Sequence, residues 1–354
     1  HPIHLINQYS RNKKAARWLN IEFKTQYTDA NGNVQIDTPI IANDNYQLFN
    51  SYLKYSDILT MGTGPTANNF GFSLGNFNLS SDTNKFLTNA PKIQYANLED
   101  YGTLAFLSPN DNLEYIKLIY KNSAGVQIGF TTVTKNSFNG AYSSFSSEIS
   151  ERLLYFGCFP ANLQNWNTTF KALVTAGTIQ GGSIIVQAFD NSDDEISDDY
   201  TINVNCPDLK GFESIRLCWL NQWGAWDYYT FTKKSVRSIS TKGSTYEQLA
   251  GTWNEASYRV DSYKGGKKAF RVNATEKIKM NTDFVSESEN DMFEELINSP
   301  EVYILEGYQD DGSFSALNQY VKPVRLTTSS FTKKTVANDK LIQYSFEVEK
   351  SKTL

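Results

Sequence analysis

Short segments that alternate apolar and polar residues, separated by Gly, Asn and Ser, recur along most of this chain. In 340–350, the clearest of them, Ile342, Tyr344, Phe346 and Val348 fall on one side and polar residues on the other. A repeat of two residues is the pattern of a β-strand with one buried face. With an aromatic content of 14% and only three Met residues, the pattern predicts a mainly β fold.

Other segments of this kind predict strands at 102–107, 114–122, 126–134, 183–189, 200–205, 301–308 and 321–331. Two connections are typical of hairpins. Asn31-Gly32 is a tight-turn pair between the candidate strands 21–27 and 34–40. The three-residue loop 123–125 ends in Gly, where a left-handed residue is favoured, and it predicts that the strands on either side pair.

The clearest helix is predicted at 286–298. Ser286 and Glu289 have the spacing of a capping box, and Pro300 marks the exit. Its apolar stripe consists of Met292, Phe293, Leu296 and Ile297. A second, more ambiguous pattern predicts a short helix within 143–157.

A length of 354 residues suggests two or three domains. We predict an N-terminal arm and hairpin at 1–40, followed by a β-sandwich-like domain at 41–210 with a long loop at 60–90. A C-terminal β-rich domain at 211–354 carries the well-formed helix. The predicted architecture is therefore two β-sandwich-like domains, with one clear helix in the second.

Histidine and cysteine usage disfavours several kinds of chemistry. The two histidines, His1 and His4, lie at the N-terminus, so the interior lacks a His for a Ser-His-Asp or Cys-His site or for a His-based metal site. The three cysteines, Cys158, Cys206 and Cys218, are odd in number and form no CxxC pair. They are typical of free core thiols in a reducing compartment. We expect no enzyme activity, no cofactor and no metal.

The charge and hydropathy of the chain bear on its partners. A net charge of −5 argues against a protein that mainly holds nucleic-acid phosphates, so no nucleic-acid partner is expected. Apolar runs fall short of about 18 residues and no signal peptide is visible, so we expect no membrane insertion. The chain opens at His1 rather than Met, which is consistent with a missing N-terminal piece.

Two segments partly match ligand-binding loops. The acidic loop 190–199 has oxygen ligands for calcium, but its spacing is not that of an EF-hand, and an exposed turn is favoured. The segment 263–270 has paired Gly and Lys residues but lacks phosphate-loop spacing, so a turn between strands is favoured. Because Asp and Glu are plentiful, a polysaccharide hydrolase with two carboxylates stays a weaker alternative.

Charged residues are grouped in blocks. Residues 233–279 hold eleven basic and four acidic side chains, whereas 281–313 hold ten acidic and no basic ones. Such blocks pair either inside one fold or head-to-tail between identical copies. The N-terminal arm has a further basic cluster, which either docks to an acidic partner or forms a solvated surface.

Aromatic residues supply a second kind of candidate surface. Ile215, Leu217 and Trp219 fall on one face of a predicted strand. The Trp and Tyr rings in and after this strand are suited to core packing, to a protein interface or to stacking on sugars. The candidate interface residues are Arg11, Lys13, Lys14, Arg17, Phe70, Phe72, Trp223, Trp226, Lys264, Lys267, Lys268, Glu294, Glu295, Asp310 and Asp311.

Three segments resemble virion structural proteins of tailed bacteriophages: LCWLNQWGAWDYYTFTKKS (217–235), TYEQLAGTWN (245–254) and PVRLTTSSFTKKTVANDKLIQYSFEVEKSKT (323–353). The stretch GCFPANLQNW (157–166) is similar to the same group. The resemblance implies a tail, baseplate or connector-region component, assembled in the host cytoplasm in many copies. Its partners would be copies of itself and other virion proteins. A glycan-binding module of a receptor-binding tail component, with host surface glycan as its partner, is the alternative.

Overall fold

In the part of the chain that the structure describes, the strands form two large sheets and four two-stranded ladders, which confirm the mainly β prediction. These elements come from a computed structural model. It describes residues 16–19, 22–36, 40–41, 46–49, 85–107, 113–134, 153–205, 211–253, 255–261, 263–305, 321–336 and 341–350.

The N-terminal strands form a long hairpin. They are β1 (Ala16–Leu19), β2 (Glu22–Phe23), β3 (Gln26–Thr28), β4 (Val34–Ile36), β5 (Ile40–Ile41) and β6 (Tyr46–Phe49). They pair in nested order, β1 with β6, β2 with β5 and β3 with β4. The predicted turn is confirmed: Gly32 has a φ of 84°, and Asp29 Oδ1 accepts hydrogen bonds from the backbone N–H groups of Asn31 and Asn33. The ladder continues past residue 40 to Phe49.

A five-stranded sheet follows. The next strands are β7 (Ile93–Ala96), β8 (Leu104–Leu107), β9 (Tyr115–Lys121), β10 (Gln127–Thr134), β11 (Leu153–Phe156), β12 (Ser183–Phe189) and β13 (Tyr200–Val204). The sheet has the order β10-β9-β12-β13-β7 and is antiparallel except between β13 and β7. The predicted three-residue loop is confirmed by the positive φ of Gly125, 78°. The strand β7 lies at the edge of this sheet.

Two short helices contribute to the core of this sheet: α1 (Pro160–Trp166) and α2 (Thr168–Thr175). Phe170 of α2 packs in one core cluster with Leu118 and Tyr120 of β9. Asn167 begins α2 by accepting a hydrogen bond from the Phe170 backbone N–H at 3.0 Å. The prediction of a helix within 143–157 is wrong for residues 153–156, because these residues form strand β11 and pair with β8. Its earlier residues lie outside the described part.

A seven-stranded antiparallel sheet forms the C-terminal part. Its strands are β14 (Ile215–Leu220), β15 (Trp226–Phe231), β16 (Val236–Gln248), β17 (Gly266–Asn281), β18 (Val302–Leu305), β19 (Val321–Leu326) and β20 (Ser345–Lys350). Their order is β15-β14-β18-β19-β20-β17-β16. The predicted helix is confirmed as a 3-10 turn at Glu287–Glu289 that leads into α3 (Asn290–Asn298), and the capping box of Ser286 and Glu289 is present.

One strand joins the two sheets, because β14 is buried on both faces. Leu217 and Trp219 point into the core that also contains Phe293 of α3. Cys218 and Leu220 point the other way, into a cluster that includes Leu87 and residues of β8 and β15. The alternation predicted for β14 is therefore correct, and both of its faces lie in the interior.

Candidate interaction surfaces

Among the described residues, the longest exposed element is a two-stranded ribbon, formed by β16, β17 and the described residues that connect them. β17 pairs with β16 along residues 266–279, and only its last residues, 277–281, also pair with β20 on the other side. The strand β16 is the edge of the seven-stranded sheet, and all 13 of its residues are exposed. We call residues 239–276 the outer ribbon.

The sequence of β16 explains why the ribbon stands away from the core. VRSISTKGSTYEQ has no repeating apolar face, although Val, Ile and Thr favour an extended chain. Polar pairs across the ribbon support it, such as Arg237 with Glu276 at 2.8 Å and Lys268 with Gln248 at 2.7 Å. Glu213 also forms an ion pair with the Arg237 guanidinium. The carboxylates of Glu213 and Glu276 together raise the pKa of Arg237. An isolated two-stranded ribbon is only marginally stable, so contact with a further surface would stabilise it.

Large apolar side chains project from the ribbon into solvent. They are Val236, Ile239, Tyr246, Leu249, Trp253, Tyr258, Val260, Tyr263, Phe270 and Val272. Phe270, at 80% exposure, lies at a β-bulge, because Ser244 is opposite Arg271 and Thr245 is opposite Ala269. A bulge of this kind redirects a side chain and increases the local twist.

The tip of the ribbon is closed by local contacts. Gly251 and Val260 form a β-bridge. Trp253 and Tyr258 lie between these two residues in the chain, and their ring centroids are 5.2 Å apart. Trp253 is 66% exposed. Lys264 pairs with Asp261 at 2.8 Å, and this carboxylate raises the pKa of Lys264.

The ribbon brings together three predicted interface residues. Lys267 and Lys268 lie at the start of β17, and Lys264 lies just before it. Lys267 is exposed, and Lys268 and Lys264 are partly exposed. Arg271 is exposed further along the same strand. The outer ribbon thus combines positive charge with exposed aromatic rings.

A second surface lies beside the edge strand β7, and we call it the β7 groove. It has a volume of about 500 Å³. Ile93 and Tyr95 of β7 line it with exposures of 56% and 61%, and Phe284, 56% exposed, also lines it. Asp283 and Glu289 contribute carboxylates. The described residues that line the groove include no Lys, Arg or His.

The acidic block pairs mainly with groups outside the basic block. Lys333 lies 2.7 Å from both Asp291 and Glu294, so one cation serves two carboxylates. The two blocks meet where Lys233 pairs with Asp283 at 2.8 Å. Glu295 is fully buried, which corrects its assignment to an exposed interface. Its side chain lies on the core-facing side of α3, where an intramolecular polar contact replaces solvent.

The two tryptophans predicted at an exposed interface are buried. Trp223 and Trp226 lie in the cluster between the sheets, with Leu87 and Cys218. The reason is the turn between β14 and β15, where Asn221 donates a hydrogen bond to the Leu87 carbonyl at 2.9 Å. Both rings serve an internal interface, and the sugar-stacking alternative fails for them.

The other predicted interface residues are not located. Arg11, Lys13, Lys14, Phe70, Phe72, Asp310 and Asp311 lie outside the described residues, as does the part of the long loop at 60–84. Arg17 lies in β1, and the structure describes its backbone position alone.

The acidic loop 190–199 connects β12 to β13; residues 191–195 form its exposed turn, whereas Ile196 and Ser197 are buried. Asp190 Oδ1 accepts hydrogen bonds from the backbone N–H groups of Ser192 and Asp194, at 2.8 and 2.9 Å. In the described ranges, no group of three or more His, Cys, Asp or Glu side chains is arranged to hold a metal ion. Cys158 and Cys218 are buried in the core, and this burial raises the pKa of both thiols, as is typical of structural rather than reactive cysteines.

Comparison of the chain with protein-family models, with curated proteins and with solved structures gave no match. None of the helices within the described residues has the length and apolar character needed to cross a lipid bilayer.

Proposed function

We propose that this chain is a structural component of a tailed-phage virion, from the tail, baseplate or connector region. It assembles in multiple copies through contacts with copies of itself and with other virion proteins. The observation that carries the proposal is the ribbon, a long element whose apolar side chains are exposed to solvent in the single chain. The resemblance of 217–235, 245–254 and 323–353 to virion structural proteins indicates the kind of assembly.

The physical argument concerns the edge strand and the exposed rings. A long, exposed edge strand presents unpaired backbone groups that template pairing with another chain. Proteins protect such edges with Pro, with inward charges or by keeping the strand short. β16 has 13 residues and no Pro, so its edge is suited to a partner. Clustered exposed apolar residues are a further mark of a protein interface.

The N-terminal hairpin supports the same function. Tyr27, Val34 and Ile36 are exposed on it, so a second ribbon also offers apolar groups to solvent. A protein with two such ribbons offers broad surfaces to neighbouring proteins.

Light scattering at low and high salt, with electron microscopy of the same samples, tests the proposal. We expect a discrete oligomer or a regular ring or tube. Phe270→Ser should weaken association, because it removes an exposed ring from the ribbon. Val126→Ser is the matched control, since Val126 is 59% exposed outside the ribbon and its replacement should change nothing. A monomer at every salt and protein concentration would contradict multi-copy assembly.

The tip of the ribbon favours one second candidate, a glycan-binding module. Trp253 and Tyr258 form an exposed aromatic pair of the kind that stacks on sugar faces. Titration with host polysaccharides should then quench or shift Trp fluorescence, and Trp253→Ala should abolish the response. No response across a glycan panel would argue against this candidate.

A further inference from the structure

We propose that the outer ribbon of one copy docks in the β7 groove of a second copy. The inference rests on the proposed function, because it names the surfaces through which identical copies associate. Two surfaces that face solvent in the single chain thereby become one interface.

The geometry of the chain favours a second copy over the chain's own ribbon. β17 ends at Asn281, and the next residues include Asp283 and Phe284, which line the groove. The groove therefore lies at the root of the ribbon. At about 3.3 Å per residue, the 16 residues of β17 place the far end of the ribbon roughly 50 Å from that root. A straight ribbon cannot fold back over this distance to fill its own groove.

The chemistry of the two surfaces is complementary. The groove has an apolar rim of Ile93, Tyr95 and Phe284 with carboxylates beside it. The outer ribbon presents Phe270 and, near it, Lys267. Aromatic rings at the centre of a contact with charges around them are the usual arrangement of a protein interface.

The backbone adds a second attraction. β7 pairs with β13 on one side, and in the described sheet its other side is an edge. β16 is likewise an edge strand. Extended segments add to exposed sheet edges through main-chain hydrogen bonds, while the neighbouring pockets select side chains.

The contact is head-to-tail, since a ribbon and a groove are different surfaces. Head-to-tail contacts produce rings when the rotation closes and helical tubes when it does not. Because lysines face carboxylates, association should weaken as salt increases.

Charge-reversal complementation tests this pairing. Variant A carries Lys267→Glu and Lys268→Glu on the ribbon. Variant B carries Tyr95→Lys and Asp283→Lys in the groove. Each should weaken association by at least about 100-fold, because like charges face each other. An equimolar mixture should recover assembly, because the ribbon of A then meets the groove of B and the ribbon of B meets the groove of A. Lys171→Glu, on exposed α2 surface, is the control and should assemble normally.

The outcomes separate the inference from the proposed function. Circular dichroism and thermal unfolding should show both variants folded, because the replaced side chains are exposed or partly exposed. If the wild type and variant A assemble alike, the ribbon pairing is wrong and multi-copy assembly stands. If A and B are monomeric and the mixture also stays monomeric, the ribbon–groove pairing is wrong. If the wild type is monomeric under every condition, both proposals fail.

Discussion

Asp227 of β15 and Glu295 of α3 are both buried inside the protein, and each carboxylate accepts a hydrogen bond from the segment just before β7. Thr88 Oγ1 donates to Asp227 at 2.6 Å, and Asn89 Nδ2 donates to Glu295 at 2.5 Å. The pair thus ties the segment before β7 to the seven-stranded sheet and its helix. Burial disfavours the charged form of the Asp227 carboxyl group, so the contribution of this residue to stability depends on pH.

Replacing Asp227 by Asn should stabilise the protein at neutral pH. Burial raises the pKa of Asp227 from 3.8 to about 6, so the folded chain keeps a proton that the unfolded chain has lost. The stability contributed by that proton is full below pH 4 and falls as pH rises towards 6. Asn imitates the protonated acid at every pH. We expect Asp227→Asn to raise the free energy of unfolding by about 1–3 kcal/mol at pH 7 and to leave it nearly unchanged at pH 4.

Urea unfolding between pH 4 and pH 8 measures this difference. Asp291→Asn is the control, because Asp291 is an exposed residue that pairs with Lys333, and its replacement should give no gain at pH 7. A loss of stability in Asp227→Asn that is equal at all pH values would show that protonation of Asp227 is not the source of the effect.

Arg216 should be needed for the junction between the sheets. Its Nη1 lies 3.4 Å from Asp100 Oδ2, both side chains are buried, and Nε donates to the Tyr101 carbonyl at 2.8 Å. Removing one partner of a buried ion pair leaves the other charge without compensation. We expect Arg216→Met to cost about 3–5 kcal/mol in the free energy of unfolding.

The matched control for Arg216→Met is Arg325→Met. Arg325 pairs with Glu349 at 3.1 Å on the surface, where the Arg325 side chain is 72% exposed. Such a pair contributes less than about 1 kcal/mol. Equal losses of unfolding free energy in the two variants, measured by urea unfolding, would mean that the buried pair stabilises the protein no more than the exposed pair does.

Gly182 should not accept any side chain. A Cβ at this position would lie 2.0 Å from the Lys121 carbonyl oxygen, which is backbone and cannot move aside. Gly182→Ala is therefore expected to lower the thermal midpoint strongly or to prevent folding. Gly129→Ala is the control, since its Cβ would lie 3.5 Å from Tyr120, an ordinary contact. Similar midpoints for both variants would contradict the close packing of this corner.

Local signals in the sequence predicted the elements that depend on local chemistry. The Asn31-Gly32 turn, the loop ending at Gly125 and the capping box of Ser286 and Glu289 each involve residues close together in the chain. Strand β12 is observed at Ser183–Phe189, where its pattern predicted it. Such features need no knowledge of the rest of the fold.

Long-range packing explains what the sequence could not predict. The alternation in β14 indicated one buried face, but the second face is covered by Leu87, which is distant in the chain. That contact buries Trp223 and Trp226. The helices α1 and α2 were missed because they are short and lack a clear apolar stripe, although Asn167 was a visible cap signal.

The ribbon was missed for a related reason. The turn predicted at 263–270 is wrong over residues 266–270, which belong to strand β17, and the absence of an apolar face in β16 was not interpreted. A strand pattern that has no buried face indicates an element outside the core, and here it marks the candidate site.

Hydrogen-exchange mass spectrometry tests most directly the claim that the ribbon is the assembly surface. The assembled wild type is compared with the Lys267→Glu/Lys268→Glu variant, and buried β14 serves as the internal reference. If the ribbon is the assembly surface, amide exchange in the wild type should be slower at 239–249, at 263–273 and at 92–96, and equal in β14. Equal exchange of the two proteins at the ribbon and at β7 would contradict it.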